Sequence, residues 1–108
     1  MTDIDESGFI RRADETLGRL FERLEDALGD RVDVELQEGI LTIDFDDGSR
    51  FVVNKHLPNR QIWLSSPLSG AAHFAWDGTR WAATRDGAPL LAVLEDDLSK
   101  LAGEPVAL

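Results

Sequence analysis

Between residues 9 and 28, apolar side chains fall at Ile10, Ala13, Leu17, Leu20, Phe21, Leu24 and Leu28. Steps of three and four, with a single step of one, place them on one stripe of an α-helix. Asp5 or Ser7 can cap its start and Gly29 can end it. Beyond Arg31 the period falls to two. Val32, Val34 and Leu36 alternate with Asp33, Glu35 and Gln37, and Leu41, Ile43 and Phe45 alternate with Thr42, Asp44 and Asp46. Successive strand side chains point to opposite faces, so each run is a half-buried strand. Glu38-Gly39 and Asp47-Gly48 are hairpin dipeptides, and a third strand over about Arg50–Asn54 completes a meander. Gln61–Ser66 alternates again, and HFAWDGTRWAAT reads as strand, Asp77-Gly78 turn, strand. Pro89 then suits the first turn of a second amphipathic helix, with Leu90, Leu91, Leu94, Leu98 and Leu101 apolar and Gly103 as its stop.

The predicted order is helix, about six antiparallel strands, helix, in one domain over residues 1–108. Two helices cover only one face of such a sheet. The expected fold class is therefore α+β: a two-layer sandwich, with the N- and C-terminal helices packed on one face of a roughly six-stranded antiparallel sheet.

Charge changes this picture because it is unevenly placed. The net charge is −10. Residues 1–47 hold fifteen acidic against five basic side chains, while residues 48–108 hold six of each. Such a field repels nucleic acid and anionic membranes and attracts cations or basic protein surfaces. There is no Cys, so thiolate metal sites, disulfides and thiol nucleophiles are excluded. No apolar run nears the ~20 residues that span a bilayer. The opening MTDIDESG is unlike a secretory signal or an Arg-rich transit segment. A reducing compartment fits the lack of Cys.

Wound at about 100° per residue from Ile10, the first helix segregates its charges. Asp14, Glu15, Glu22, Glu25 and Asp26 fall on one flank, and Arg12, Arg19 and Arg23 on another. Glu22, Glu25 and Asp26 stand at i, i+3 and i+4, where like charges destabilise a helix. Asp30 lies just past the helix end, and Asp33 and Glu35 point out from the first strand. Two readings of this acidic ridge stand side by side. It is a set of hard oxygen ligands for exchangeable Fe²⁺, Mn²⁺, Ca²⁺ or Mg²⁺, or a solvated face without a specific ligand. No EF-hand, HExxH or two-His-one-carboxylate spacing is present, and no nucleophile–base arrangement stands out.

The segment NKHLPNRQIWLSSP poses a second question. Ile62 and Leu64 face the core, so Trp63 shares the uncovered face with Gln61, Ser65 and Asn54. An aromatic ringed by Asn59, Arg60 and Gln61 has the composition of a protein-binding hot spot. The competing reading is a register slip, or a loop packed over the indole.

This segment, preceded by GILTIDFDDGSRFVV and followed by SGAAHFAWDGTRW, closely resembles the frataxin family over about Phe9 to Leu101. Its wording is nearer to the mitochondrial proteins than to many bacterial, CyaY-type members. The resemblance implies two helices on an antiparallel sheet. It also implies weak, exchangeable binding of iron (Fe²⁺/Fe³⁺) by the ridge Asp14, Glu15, Glu22, Glu25, Asp26, Asp30, Asp33 and Glu35, with other divalent metals competing. It implies a part in iron–sulfur cluster assembly through a complex of cysteine desulfurase and scaffold protein, contacted by Asn54, His56, Asn59, Arg60, Gln61, Trp63 and His73. The family's mitochondrial pattern has Gln at His56 and Arg at His73, and some bacterial members have acids at Leu28 and Arg31. A monomer is expected, able to form oligomers with metal, in a bacterial cytoplasm or, for a processed eukaryotic form, in the mitochondrial matrix. Ferroxidase activity, reported for the family, is the enzymatic alternative. A protein-binding regulator with incidental metal is the other.

Overall fold

The computed structural model describes residues 4–108, so the first three residues of the predicted domain lie outside the described residues. Helix α1 (Glu6–Leu28) is followed by strands β1 (Val32–Gln37), β2 (Ile40–Phe45), β3 (Arg50–His56), β4 (Gln61–Ser66), β5 (Gly70–Trp76) and β6 (Trp81–Ala83), and by helix α2 (Leu90–Ala102). The strands form one antiparallel sheet in the order β1-β2-β3-β4-β5-β6. Helix α1 packs on β1, β2 and β3, and α2 on β6, leaving the other sheet face uncovered. Among the described residues no helix is long and apolar enough to cross a membrane.

Local chemistry explains the boundaries. Asp5 is the N-cap of α1, its carboxylate accepting from the Gly8 amide at 2.7 Å. Glu38 and Gly39, with φ of 51° and 77°, supply the two positive φ values that a tight hairpin needs. Asp77 accepts from the Thr79 and Arg80 amides in the β5–β6 turn. Those bonds hold its carboxyl below the usual carboxylate range.

The core differs from the sequence reading at two helix positions. Phe9, fully buried, leads the core stripe of α1 through Ala13, Leu17, Leu20, Leu24 and Leu28, whereas Ile10 is half-buried at its margin. Phe9 meets the Trp81 ring edge-on, with centroids 5.9 Å apart. In α2, Leu91 is 48% exposed while Leu90, Leu94 and Leu98 are buried.

Asp97 also faces inward from α2, at 4% exposure. The hydroxyls of Ser66 and Ser69 donate to it at 2.7 and 2.6 Å. Ser66 Oγ in turn accepts from the Leu68 and Ser69 amides. A buried carboxylate satisfied in this way ties the β4–β5 turn to α2. Arg31 makes the matching tie at the other end, donating to the Ala102 carbonyl at 2.7 Å and pairing with Glu104 at 3.0 Å. A cation there complements the C-terminus of α2.

Candidate functional site

The uncovered sheet face carries the first candidate site. Register places Gln37, Ile40, Asn54, Trp63 and His73 side by side across β1 to β5. His56 and Gln61 form the adjacent pair. Trp63 is thus on the uncovered face, as the alternation predicts, but its ring faces are not bare. His56 stacks on the Trp63 indole with centroids 3.6 Å apart and planes at 9°, and His73 stacks on the same indole at 4.2 Å and 13°. The indole N–H donates to Gln61 Oε1 at 2.9 Å. Trp63 is half-buried as a result. His56 Nδ1 is buried without a hydrogen-bond partner among the described residues, so stacking rather than a hydrogen bond to this atom holds the ring.

Two of the expected partner-binding residues stand elsewhere. Asn59 and Arg60 lie in the β3–β4 turn, between the strands rather than on the face. The Arg60 guanidinium donates to the Ile4 carbonyl at 3.0 Å, which ties this turn to the segment before α1. Ile40 is a residue that sequence reasoning passed over. It is 47% exposed beside Asn54 in the row of Trp63. Its signal was available, because alternation puts it on the polar pleat with Thr42 and Asp44.

The acidic ridge is the second candidate. Glu22, Glu25, Asp26 and Asp30 are exposed along α1 and its exit. Asp33 and Glu35 are exposed on the pleat of β1 opposite Val32 and Val34, so they turn toward the uncovered face around the edge strand. The ridge therefore bends over the β1 edge. Asp33 stands opposite Asp44, a like-charge cross-strand pair. Arg50 engages Asp44 through two nitrogens, and that contact raises the Arg50 pKa. Asp14 is engaged by Lys55 Nζ at 2.8 Å. Glu15 lines a groove shared with Arg12, Arg19 and Arg23, at the border of the acidic and basic flanks. Among the described residues no three carboxylate or imidazole groups converge as a metal cage. An open row of hard oxygen donors suits a cargo ion that enters and leaves.

The family model for the Frataxin-like domain matches residues 2–104. This chain belongs to the frataxin family. Among family members, the iron–sulfur cluster assembly protein CyaY of Thioalkalivibrio sulfidiphilus is 40% identical over 112 residues, covering 100% of both chains. CyaY of Neisseria meningitidis serogroup B is 38% identical, over 95% of this chain and 94% of its own. The mitochondrial frataxin of Arabidopsis thaliana is also 38% identical, but this chain spans only 59% of that protein's length. Of solved structures, the Psychromonas ingrahamii frataxin superposes with a TM-score of 0.86 at 27% identity, covering 96% of this chain and 97% of that one. Trimeric yeast frataxin complexed with ferrous iron gives 0.70 at 34% identity, covering 96% and 91%. The frataxin fold accordingly matches the two helices and six strands described above.

Proposed function

We propose that this chain is an accessory protein of iron–sulfur cluster assembly. It carries iron weakly on the ridge of α1 and β1 and regulates the cysteine desulfurase–scaffold complex through the uncovered sheet face. The observation that carries this reading is the His56–Trp63–His73 stack. It is a pre-ordered aromatic platform on a helix-free face, rimmed by Asn54, Gln61 and the exposed Ile40. Rigid aromatics on a polar surface are where interface energy concentrates. Its relatives' names and the ferrous complex of yeast frataxin support the cluster-assembly and iron parts. The site of action is the compartment of cluster assembly, the cytoplasm in a bacterium.

In this reading the protein supplies no covalent chemistry. Without Cys it holds neither persulfide nor a thiolate-bound cluster. The ridge concentrates Fe²⁺ through its field and releases it because no cage encloses the ion. The sheet face docks on the complex and biases its activity. A second reading, a protein-binding regulator with incidental metal, is favoured by the Asp14–Lys55 pair and by the lack of convergent carboxylates among the described residues. Sulfide production by the cognate desulfurase, with and without this protein across an Fe²⁺ titration, separates the two. The proposal expects an effect of the protein that changes with iron. An effect that ignores iron selects the second reading. No effect on the desulfurase at any iron level overturns both. Oxygen consumption with defined turnover at low iron would instead establish a ferroxidase.

A further inference from the structure

The arginine flank of α1 plays no part in either site above. It lines a groove of about 500 Å³ between α1, the β5–β6 hairpin and α2, a volume typical of small-molecule sites. Four arginines reach this groove, Arg12, Arg19, Arg23 and Arg80, against one acidic side chain, Glu15, and Leu108 with its α-carboxylate. In a chain of net charge −10 this is a local inversion of sign. Arg12 is committed, lying over the Trp76 ring at 4.2 Å, and Arg80 lies 3.9 Å from Asp77. Arg19 and Arg23 are exposed and make no ion pair or side-chain hydrogen bond with the described residues. The floor is apolar, with Leu20, Leu90 and Trp81 buried beneath and Leu91 exposed at the rim. Leu91 is the one leucine of α2 that is exposed, Leu90, Leu94 and Leu98 being buried and Leu101 half-buried.

We propose that this groove binds an amphipathic organic anion: a carboxylate or phosphate head held by Arg19 and Arg23, with an aliphatic tail along Leu91 and the partly exposed Leu108. One face of Trp76 is taken by Arg12, and Trp81 is 5% exposed, packed edge-to-face against Trp76 at 5.5 Å and pinned by its N–H bond to Thr16 Oγ1 at 2.9 Å. One face of Trp76 is thus occupied and Trp81 is closed, whereas Leu91 and Leu108 leave apolar surface along the groove. Guanidinium groups match the planar or tetrahedral oxygens of such a head through paired N–H donors. The site lies off the uncovered sheet face, and it borders the acidic flank of α1 only at Glu15.

The test uses the full chain and decyl phosphate below its micelle concentration, followed by calorimetry and by amide NMR shifts. Saturable binding is expected, with shifts mapping to α1 around Arg19 and to α2 around Leu91. Arg19→Gln/Arg23→Gln should weaken it at least tenfold, and Leu91→Gln several-fold; all three positions are exposed, so the fold persists. Inorganic phosphate and decanol should each bind at least tenfold more weakly than decyl phosphate. The proposal is overturned if decyl phosphate does not bind, if its shifts map to the sheet face, or if binding survives the arginine substitutions. It is equally overturned if inorganic phosphate or decanol binds as well, since head or tail alone would then suffice.

Discussion

Trp63 shows how one side chain can lie on a polar face and still be ordered. Both ring faces meet imidazoles, and its N–H is satisfied by Gln61. Each stacked aromatic contact contributes about 0.5–1.5 kcal/mol beyond area burial, so Trp63→Ala should lower unfolding stability by about 1–3 kcal/mol. That is less than the roughly 3–5 kcal/mol expected for a fully buried ring. The same substitution should weaken binding to the desulfurase–scaffold complex by about tenfold or more. Fe²⁺ binding should be unchanged, since the ridge lies on α1 and β1. Urea melts and a pull-down with the complex check both halves. A mutant that melts like wild type would contradict the stacked geometry. Full retention of the complex would remove Trp63 from the interface.

At the scale of elements, α1 carries a conflict between stability and charge. Glu22, Glu25 and Asp26 repel one another at helical spacings, and relieving each pair is worth about 0.2–0.5 kcal/mol. Glu22→Gln/Glu25→Gln/Asp26→Asn should therefore raise the melting temperature slightly and abolish Fe²⁺-induced NMR shifts on α1. Shifts that persist in the triple variant would take the metal off this flank. The link between the β4–β5 turn and α2 behaves oppositely. Asp97→Ala removes two charge-assisted bonds, and a loss of about 2–4 kcal/mol is expected in urea unfolding. A loss under about 0.5 kcal/mol would mean that Asp97 is not the tie. The turns add a pH dependence. Amide donors depress the carboxyl pKa of Asp47 in the β2–β3 turn and of Asp77 in the β5–β6 turn. A depressed folded pKa gives stability that is complete above the ordinary carboxylate range and lost as pH falls through the folded value. Asp77→Asn should thus flatten the acid limb of a stability–pH profile, and an unaltered limb would count against this origin.

For the whole molecule, the sign and place of charge matter most. An open ridge discriminates poorly among hard divalent ions, so Mn²⁺ and Co²⁺ should displace Fe²⁺ at comparable concentrations. Raising salt from about 0.05 to 0.5 M should weaken binding, because exposed charges are screened. Tight, salt-resistant and Fe²⁺-selective binding in competition calorimetry would require an enclosed site. The sequence by itself determined the element order, the hairpin turns, the excess of acid in the first half and the side of β4 that holds Trp63. These follow from local periods and local turn chemistry, which act within a few residues. It determined less about partners. Stacking of His56 and His73 on one indole depends on how β3 and β5 register against β4. The pairing of Asp14 with Lys55, of Arg60 with Ile4 and of Asp97 with Ser66 and Ser69 spans 28 to 56 residues. The choice of Phe9 over Ile10 for the core, the exposure of Leu91 and the bend of the ridge over β1 came from how the helices settle on the twisted sheet. No local period encodes that placement; it results from packing the two layers together.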